Sequence, residues 1–595
     1  MPAMWDKRSL ALAILAGAAC GLAVGVLFGL AQGIGYLEAG RFAHALVEAR
    51  APAFVGAAAG GLAGVLLSAV VALARRAGLG RHAARAAAVA AVAGPLAWYG
   101  SQWAYVRTFR GRPGTIEWVW FAVAGVLLLA SAAWVARGPR RSGALAAGTV
   151  AAVGALALAA LPWATSARPS SGRPSGILIV VDALRADALG IAGYSRPTTP
   201  NLDALAREGV WFSQAVTQAT FTKASIASLF TGLVPHHHGV YEGNLADRDD
   251  RITSDVLRAD TPTLATRLAR AGWTTVAFVQ QAHLASYMGF GRGFAAYHEG
   301  QGRLPRINDR FVGWLERHGR IGPFWAYVHY IDLHDPYHPA PPWDRAFGDG
   351  PNPYAKCPTT SWKECLEGIN SGAIRLDDAE LARLRQLYDG LVASIDAEIG
   401  RLVARLRELG LYDDTLIVVT ADHGDGFLEH GFISHSTLPY DELARVPLIV
   451  KLPRGGRAGV RVDAQVRLID VKPTVLEALG APVPDGLDGT SLVPMIDVVG
   501  PGPGRIAVTE YDGGLAVRTP TAKLLFGLDG RRECYDLTAD PAERTNLWPA
   551  CPAEIPELER TARQAIGARL AREKGPRIEV DPRTIEELRS LGYVR

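Results

Sequence analysis

The chain has 595 residues, a mass of 63.4 kDa and a formal net charge of +4. That length exceeds what a single core usually fills, so at least two domains are expected. A charge so small for the length argues against nucleic acid as a partner, and a mean hydropathy of +0.11 is high for a soluble protein.

The hydropathy is unevenly spread. Residues 1–164 are dominated by Ala, Gly, Leu and Val, whereas the rest has ordinary globular composition. Five apolar segments are long enough to span a bilayer: Leu10 to Leu37, Phe54 to Ala74, Ala86 to Tyr105, Trp118 to Ala136, and Ala144 to Trp163. One short block with a cleavage site would be a signal peptide, and this region runs far beyond that. Residues 1–164 are therefore expected to be a transmembrane domain of five helices. Lys7 and Arg8, Arg75 to Arg85, and Arg137 to Arg141 fall on the same side of alternating spans, which puts them in the cytoplasm. The loop with Arg107, Arg110 and Arg112 breaks that pattern. An odd number of spans then leaves everything after Trp163 outside, in the periplasm or cell exterior. Cys357 and Cys365 are close in sequence, as are Cys534 and Cys551; two local disulfides would suit an oxidising compartment, four separate thiols being the alternative.

Residues 165–175 are rich in Ser, Pro, Arg and Ala and are expected to form a flexible linker. Beyond it, Ile177 to Val181 is a short β-branched run, read as a buried strand. Similar runs recur at Thr274 to Val279, Phe324 to Ile331, Thr415 to Thr420 and Val446 to Leu452. Helical patterns separate them, at Asn201 to Glu208, Thr263 to Ala271 and about Asp377 to Leu409. The alternation predicts an α/β domain around a largely parallel sheet, with its active site at the carboxyl ends of the strands. Asp182 closes the first strand, and Asp422 and His423 close the one before Gly424. Paired carboxylates and an imidazole at converging strand ends suit a divalent cation. Helix capping is the other role open to Asp182.

The stretch Thr222-Lys-Ala-Ser-Ile-Ala-Ser-Leu-Phe-Thr-Gly232 resembles the nucleophile helix of the sulfatase branch of the alkaline phosphatase superfamily. Val181 to Asp187, Gly193 to Asp203, Tyr388 to Asp396, Ala421-Asp-His-Gly424, Arg445 to Ile449 and Cys534 to Leu547 resemble further ordered segments of that family. The resemblance covers residues 176–595. It implies an alkaline-phosphatase-like catalytic domain over 176–500 and a small sulfatase-like C-terminal subdomain over 501–595. It also implies a metal site made of Asp182, Thr222, Asp422 and His423, holding one divalent ion (Mn, Zn, Ca or Mg) and leaving room for a second. Thr222 would be both ligand and nucleophile, since coordination makes a weakly nucleophilic hydroxyl accessible as its alkoxide. His334 and His435 match family histidines near the leaving group, where either could protonate the departing oxygen. A second metal site or a structural hydrogen bond are their other roles.

Two departures bear on the reaction. The family signature Cys/Ser-x-Pro-Ser/Ala-Arg becomes Thr222, Ala224 and Ile226, removing the residue that is converted to formylglycine and the arginine beside it. The Gly-Lys-Trp-His segment is replaced by Phe278-Val-Gln-Gln-Ala-His283. Threonine is the nucleophile in membrane-bound phosphoethanolamine and lipoteichoic-acid transferases of the superfamily, whose architecture the five spans resemble. The expected function is thus a membrane-anchored enzyme cleaving or transferring phosphate-type esters, lipid or glycan, through Thr222 at the outer face. The alternatives are a sulfuric ester hydrolase acting without formylglycine and a non-catalytic envelope binding protein. Among the remaining residues, His236 to His238 are expected to be structural. Lys223 either binds an anion or faces solvent, and Arg185 either supports the metal carboxylates or lies farther out.

Overall fold

The computed structural model describes residues 172–590, apart from 242–243, 247–251, 301–303, 359–361, 436–437, 498–503 and 572–575. The chain divides between Ala167 and Arg168, and the described residues all belong to the second unit. The five apolar segments lie outside the described residues. Among the described residues no helix is long and apolar enough to cross a membrane.

Strand β1 is Ser175–Val181, and six of its seven residues are buried. Helix α1, Pro200–Glu208, starts on a proline, whose fixed φ suits the first turn. The Asp396 carboxylate accepts from the Asn201 and Leu202 amides at its open end. β2, Val210–Val216, leads through a short loop to α2, Thr222–Thr231, which ends on left-handed Gly232. α3 is Leu264–Ala271, capped by Thr263, and is followed by β3, Thr274–Val279, and β4, Ala296–Glu299. α4, Leu304–His318, precedes the wholly buried β5, Phe324–Tyr330. The long α5, Asp378–Glu408, opens with a capping box between Asp377 and Glu380. β6, Thr415–Ala421, β7, Arg445–Lys451, β8, Val460–Val462, and the short β9, Val466–Arg467, complete the main sheet.

That sheet has nine strands in the order β8-β2-β7-β6-β1-β5-β3-β4, with β9 also beside β2. β1 runs parallel to both β5 and β6, and β3 parallel to β4 and β5. Only β7 runs against its neighbours, pairing antiparallel with β2 and β6. The largely parallel α/β sheet expected from the apolar runs is therefore what forms, buried on both faces as such sheets must be. Registration sets the site: Val181 is level with Ala421 and with Tyr330, so Asp182 and Asp422 emerge side by side.

The C-terminal subdomain is a four-stranded antiparallel sheet, β10 (Ala507–Tyr511), β11 (Gly514–Arg518), β12 (Ala522–Gly527) and β13 (Arg532–Asp536). Helix α6, Ile555–Ala571, covers it, and Leu515, Val517, Leu524 and Leu558 fill the space between. Both local disulfides are present, Cys357–Cys365 and Cys534–Cys551. β10 docks on the loop before α2: the Glu510 amide donates to Gln218 O at 2.9 Å, and the Thr509 hydroxyl to Thr217 O at 2.6 Å. The chain then returns to the catalytic domain, where Arg577–Glu579 pairs with Ile252–Asp255. Residues 577–579 of the expected subdomain 501–595 thus pair with a strand of the catalytic domain.

Candidate active site

Four adjacent strands deliver the site. Asp182 follows β1, Asp422 and His423 follow β6, His329 is the penultimate residue of β5, and Gln280 and Gln281 follow β3. Thr222 arrives from outside the sheet as the first residue of α2, its hydroxyl at a helix N-terminus where backbone amides favour negative charge. The Thr222 hydroxyl lies 3.4 Å from Asp182 Oδ2 and 3.4 Å from His423 Nε2. His423 Nδ1 donates to Gly424 O at 2.9 Å, which fixes the tautomer and turns Nε2 toward Thr222 and the two carboxylates. All four expected ligands come together.

Sequence reasoning missed His329. Its Nδ1 is paired with the Tyr327 hydroxyl at 2.8 Å, and its Nε2 lies 3.5 Å from Asp182 Oδ2. Asp182, His329 and Asp422 each place a ligand atom within 4.8 Å of one another. Asp182 Oδ1, Asp422 Oδ2 and His329 Nε2 are buried without a hydrogen-bond partner. Buried polar atoms are almost always satisfied, so three unsatisfied ones facing one point fit a cation. The titration of the carboxylates agrees. Burial pushes the Asp182 carboxyl up, but nearby His329, His423 and His334 outweigh it and hold it well below the usual range. Asp422 is pushed up by burial and by the charge of Asp182. A divalent ion held by both carboxylates would relieve this conflict.

His334 and His435 stand over this cluster, their rings 4.8 Å apart, with His435 stacked on His423 at 4.3 Å. Burial lowers the His334 pKa, but Asp335, 2.9 Å away, raises it to about 10. Burial likewise opposes protonation of His435, and Asp425 reverses this. His334 is thereby a proton donor near neutral pH, and His435 is shifted in the same direction. His334, Asp335 and His435 also bring donor atoms within 4.8 Å, so they could hold a second cation instead.

The other singled-out residues separate cleanly. Ser225, the competing hydroxyl, donates to Asp422 O at 2.7 Å and meets Thr217 at 2.9 Å, away from the cluster. Lys223 does not face solvent: it is buried, its ammonium on Ser254 Oγ and Met288 Sδ. Arg185 touches neither Asp182 nor Asp422, and instead ties Asp187 to Glu429 and to Asp425 O. His236, His237 and His238 bond to Glu510, Asp488 and Ser228, as structural residues do. Ile226 is fully buried at the family's arginine position. Tyr388, from one of the resembling segments, donates to Ala183 O and accepts from the Arg185 amide, both at 3.0 Å. It clamps the turn after Asp182, where Ala183 holds φ +59°.

The Sulfatase family profile matches residues 174–481, more than half of the chain, and the profile for the C-terminal region of N-sulphoglucosamine sulphohydrolase matches residues 428–564. The chain belongs to the sulfatase family, and it is an ester hydrolase of that superfamily. It is similar to an arylsulfatase of Clostridium perfringens, 25% identical over 63% of this chain and 90% of the relative. It is also 30% identical to a multifunctional alkaline phosphatase superfamily protein, PehA, of Trinickia caryophylli, over 54% of this chain and 77% of that protein. The fold matches the solved phosphonate monoester hydrolase of Agrobacterium radiobacter with a TM-score of 0.54 at 22% identity, over 69% of this chain and all of that one.

Proposed function

We propose that this enzyme is membrane-anchored and divalent-metal-dependent, and that it cleaves or transfers phosphate-type esters through a covalent Thr222 intermediate on the outer face of the membrane. The observation that carries the proposal is the Thr222 hydroxyl, 3.4 Å from both Asp182 and His423, with Ser225 committed elsewhere.

Asp182, Asp422 and His423 would hold the ion with Thr222, and His329 fits as a further ligand. When bound, a divalent cation lowers the pKa of the nucleophile and offsets charge on a substrate oxygen. Thr222 Oγ1, having given its proton to solvent, attacks the phosphorus as the alkoxide, and the bond from phosphorus to the leaving oxygen breaks. His334 or His435 gives that oxygen its proton. Water or an acceptor alcohol then attacks the Thr222 ester, Thr222 Oγ1 departs, and the imidazole recovers a proton. Hydrolysis and transfer share the first half. Helix α2 directs its amino end at the charge that develops.

The external location is supported by the five apolar segments, by the basic residues between them, and by two disulfides in the catalytic unit. An alkaline phosphatase fusion at the C-terminus should be active and a cytoplasm-only fluorescent fusion dark; the reverse pattern would overturn the topology. For the chemistry, intact-mass analysis and peptide mapping after incubation with labelled membrane lipids should find the adduct on Thr222. An adduct on Ser225, or normal turnover in Thr222→Ala, would remove the proposal.

A second reading is a sulfuric ester hydrolase working without formylglycine, favoured by the Clostridium perfringens arylsulfatase among the relatives. Sulfate released faster than phosphate from matched p-nitrophenyl esters would select it.

A further inference from the structure

The loop after β3 and the segment 576–590 form a continuous brace behind the site, and the second of these lies beyond both matched family regions. Gln281 Nε2 donates to Asp182 Oδ2 at 3.0 Å, and its Oε1 accepts from the His283 amide at 3.3 Å. The amide therefore occupies one lone pair of the carboxylate and leaves Oδ1, which has no hydrogen bond, pointing at the cluster. A carboxylate free to rotate would present either oxygen in several poses; one held by a fixed donor presents one.

The returning chain packs beside Gln281. Helix Pro582–Ser590 packs against Ala282–Leu284, immediately after Gln281. Its open end is capped by Asp581, which accepts from the Thr584 amide at 3.0 Å and its hydroxyl at 2.6 Å. Leu588 is fully buried and Val580 nearly so. Just before the helix, Arg577–Glu579 pairs with Ile252–Asp255, flanked by Val256 N to Pro576 O and Val580 N to Ile252 O. The strand so held carries Ser254, the partner of Lys223, next to the nucleophile. Met288, the other partner of Lys223, belongs to the same loop as Gln281.

We infer that Gln281 is a positioning residue for Asp182, and that the strap 576–590 holds Gln281 in place. The inference rests on the reading of Asp182 as a ligand but not on Thr222 being the nucleophile. Gln281 acts through the carboxylate and touches no reacting atom. Partners of this kind are worth about 10–100-fold in metal affinity or activity.

A double-mutant cycle in the full-length protein tests it, comparing Gln281→Ala, deletion of 576–595, and both together. Each single change should weaken Mn²⁺ binding and lower kcat by about 10–100-fold, with KM little changed. The combination should cost no more than the larger single loss, because both act on one contact. Hydrogen exchange over 280–288 should rise in the deletion, and a synthetic 576–595 peptide added in trans should reverse it. Multiplicative losses, or exchange and Mn²⁺ binding like those of the full-length protein in the deletion, would overturn the inference. If the shortened chain does not fold, Leu588→Ala, which keeps the strand pairing, decides by the same cycle. Exchange over 280–288 reports on the strap even if Thr222→Ala proves fully active, so the two ideas fail separately.

Discussion

Among the described residues, the buried charges at the junction with the C-terminal sheet and those at the strand ends are built on opposite rules. At the junction with the C-terminal sheet, Asp441 receives Arg518 Nη2 at 2.9 Å and Lys523 Nζ at 2.9 Å, and Lys523 also meets Glu543 at 2.7 Å. Burial works against ionising Asp441, yet Arg518 and Lys523 hold its carboxyl well below the usual range. At the strand ends, Asp182 and Asp422 are equally buried, but no arginine or lysine among the described residues reaches them and each keeps an oxygen unsatisfied. A buried charge with a matched partner is structure; a buried charge left open on one side is a binding site. The two clusters should therefore answer mutation in opposite ways.

The largest effect is expected at Thr222. Thr222→Ala should lower turnover by roughly 10⁴-fold or more, with an unchanged thermal midpoint, while Thr222→Ser keeps part of the rate; calorimetry and steady-state kinetics check both. Asp422→Asn should reduce metal content and cut turnover by at least the ~100-fold that loss of a supporting partner can cost. The metal-free variant should melt no lower than the parent, because the change removes repulsion with Asp182. Equal destabilisation at both clusters would erase the contrast. At the junction, Lys523→Met leaves two carboxylates facing each other and should cost about 3–5 kcal/mol of stability, read from denaturant midpoints, with metal stoichiometry intact. Removing Cys534–Cys551, which closes a separation of 17 residues, should cost about 3 kcal/mol in the chain-entropy account and also spare the metal site.

Stability as a function of pH sharpens the comparison further. Burial lowers the Lys472 ammonium to about 7, although it donates to Thr231 O and Pro262 O. Between about 7 and its unfolded value near 10.4 the unfolded chain binds more protons there, so this group makes stability rise with pH. Lys472→Met should flatten that part of the melting-temperature profile, and an unchanged slope would count against it.

Much of the fold was legible from residues alone. β1, β3, β5 and β6 announce themselves as apolar β-branched runs, and the carboxylates at their ends follow from sheet geometry. Asp182, Thr222, Asp422 and His423 converge as ordered motifs implied. His329 was hidden because it lies inside an apolar strand, where a lone polar residue carries no positional signal until the neighbouring strand is known. β2 escaped notice because its Ser213 and Gln214 interrupt the apolar pattern. The strap could not be read at all, since Ile578 pairs with Ser254 across a separation that local periodicity does not encode. The burial of Lys223 was hidden for a similar reason: its partners, Ser254 and Met288, come from distant segments.

Ile226 has an evolutionary consequence. It is a wholly buried residue of α2, in the place where formylglycine enzymes keep an arginine. Restoring a convertible cysteine at position 222 would leave that side chain where a guanidinium is required, and inserting the guanidinium first would bury a lone cation at a cost of several kcal/mol. On the proposed reading of Thr222 as nucleophile, the buried hydrocarbon at 226 therefore works against a switch of nucleophile by either single substitution.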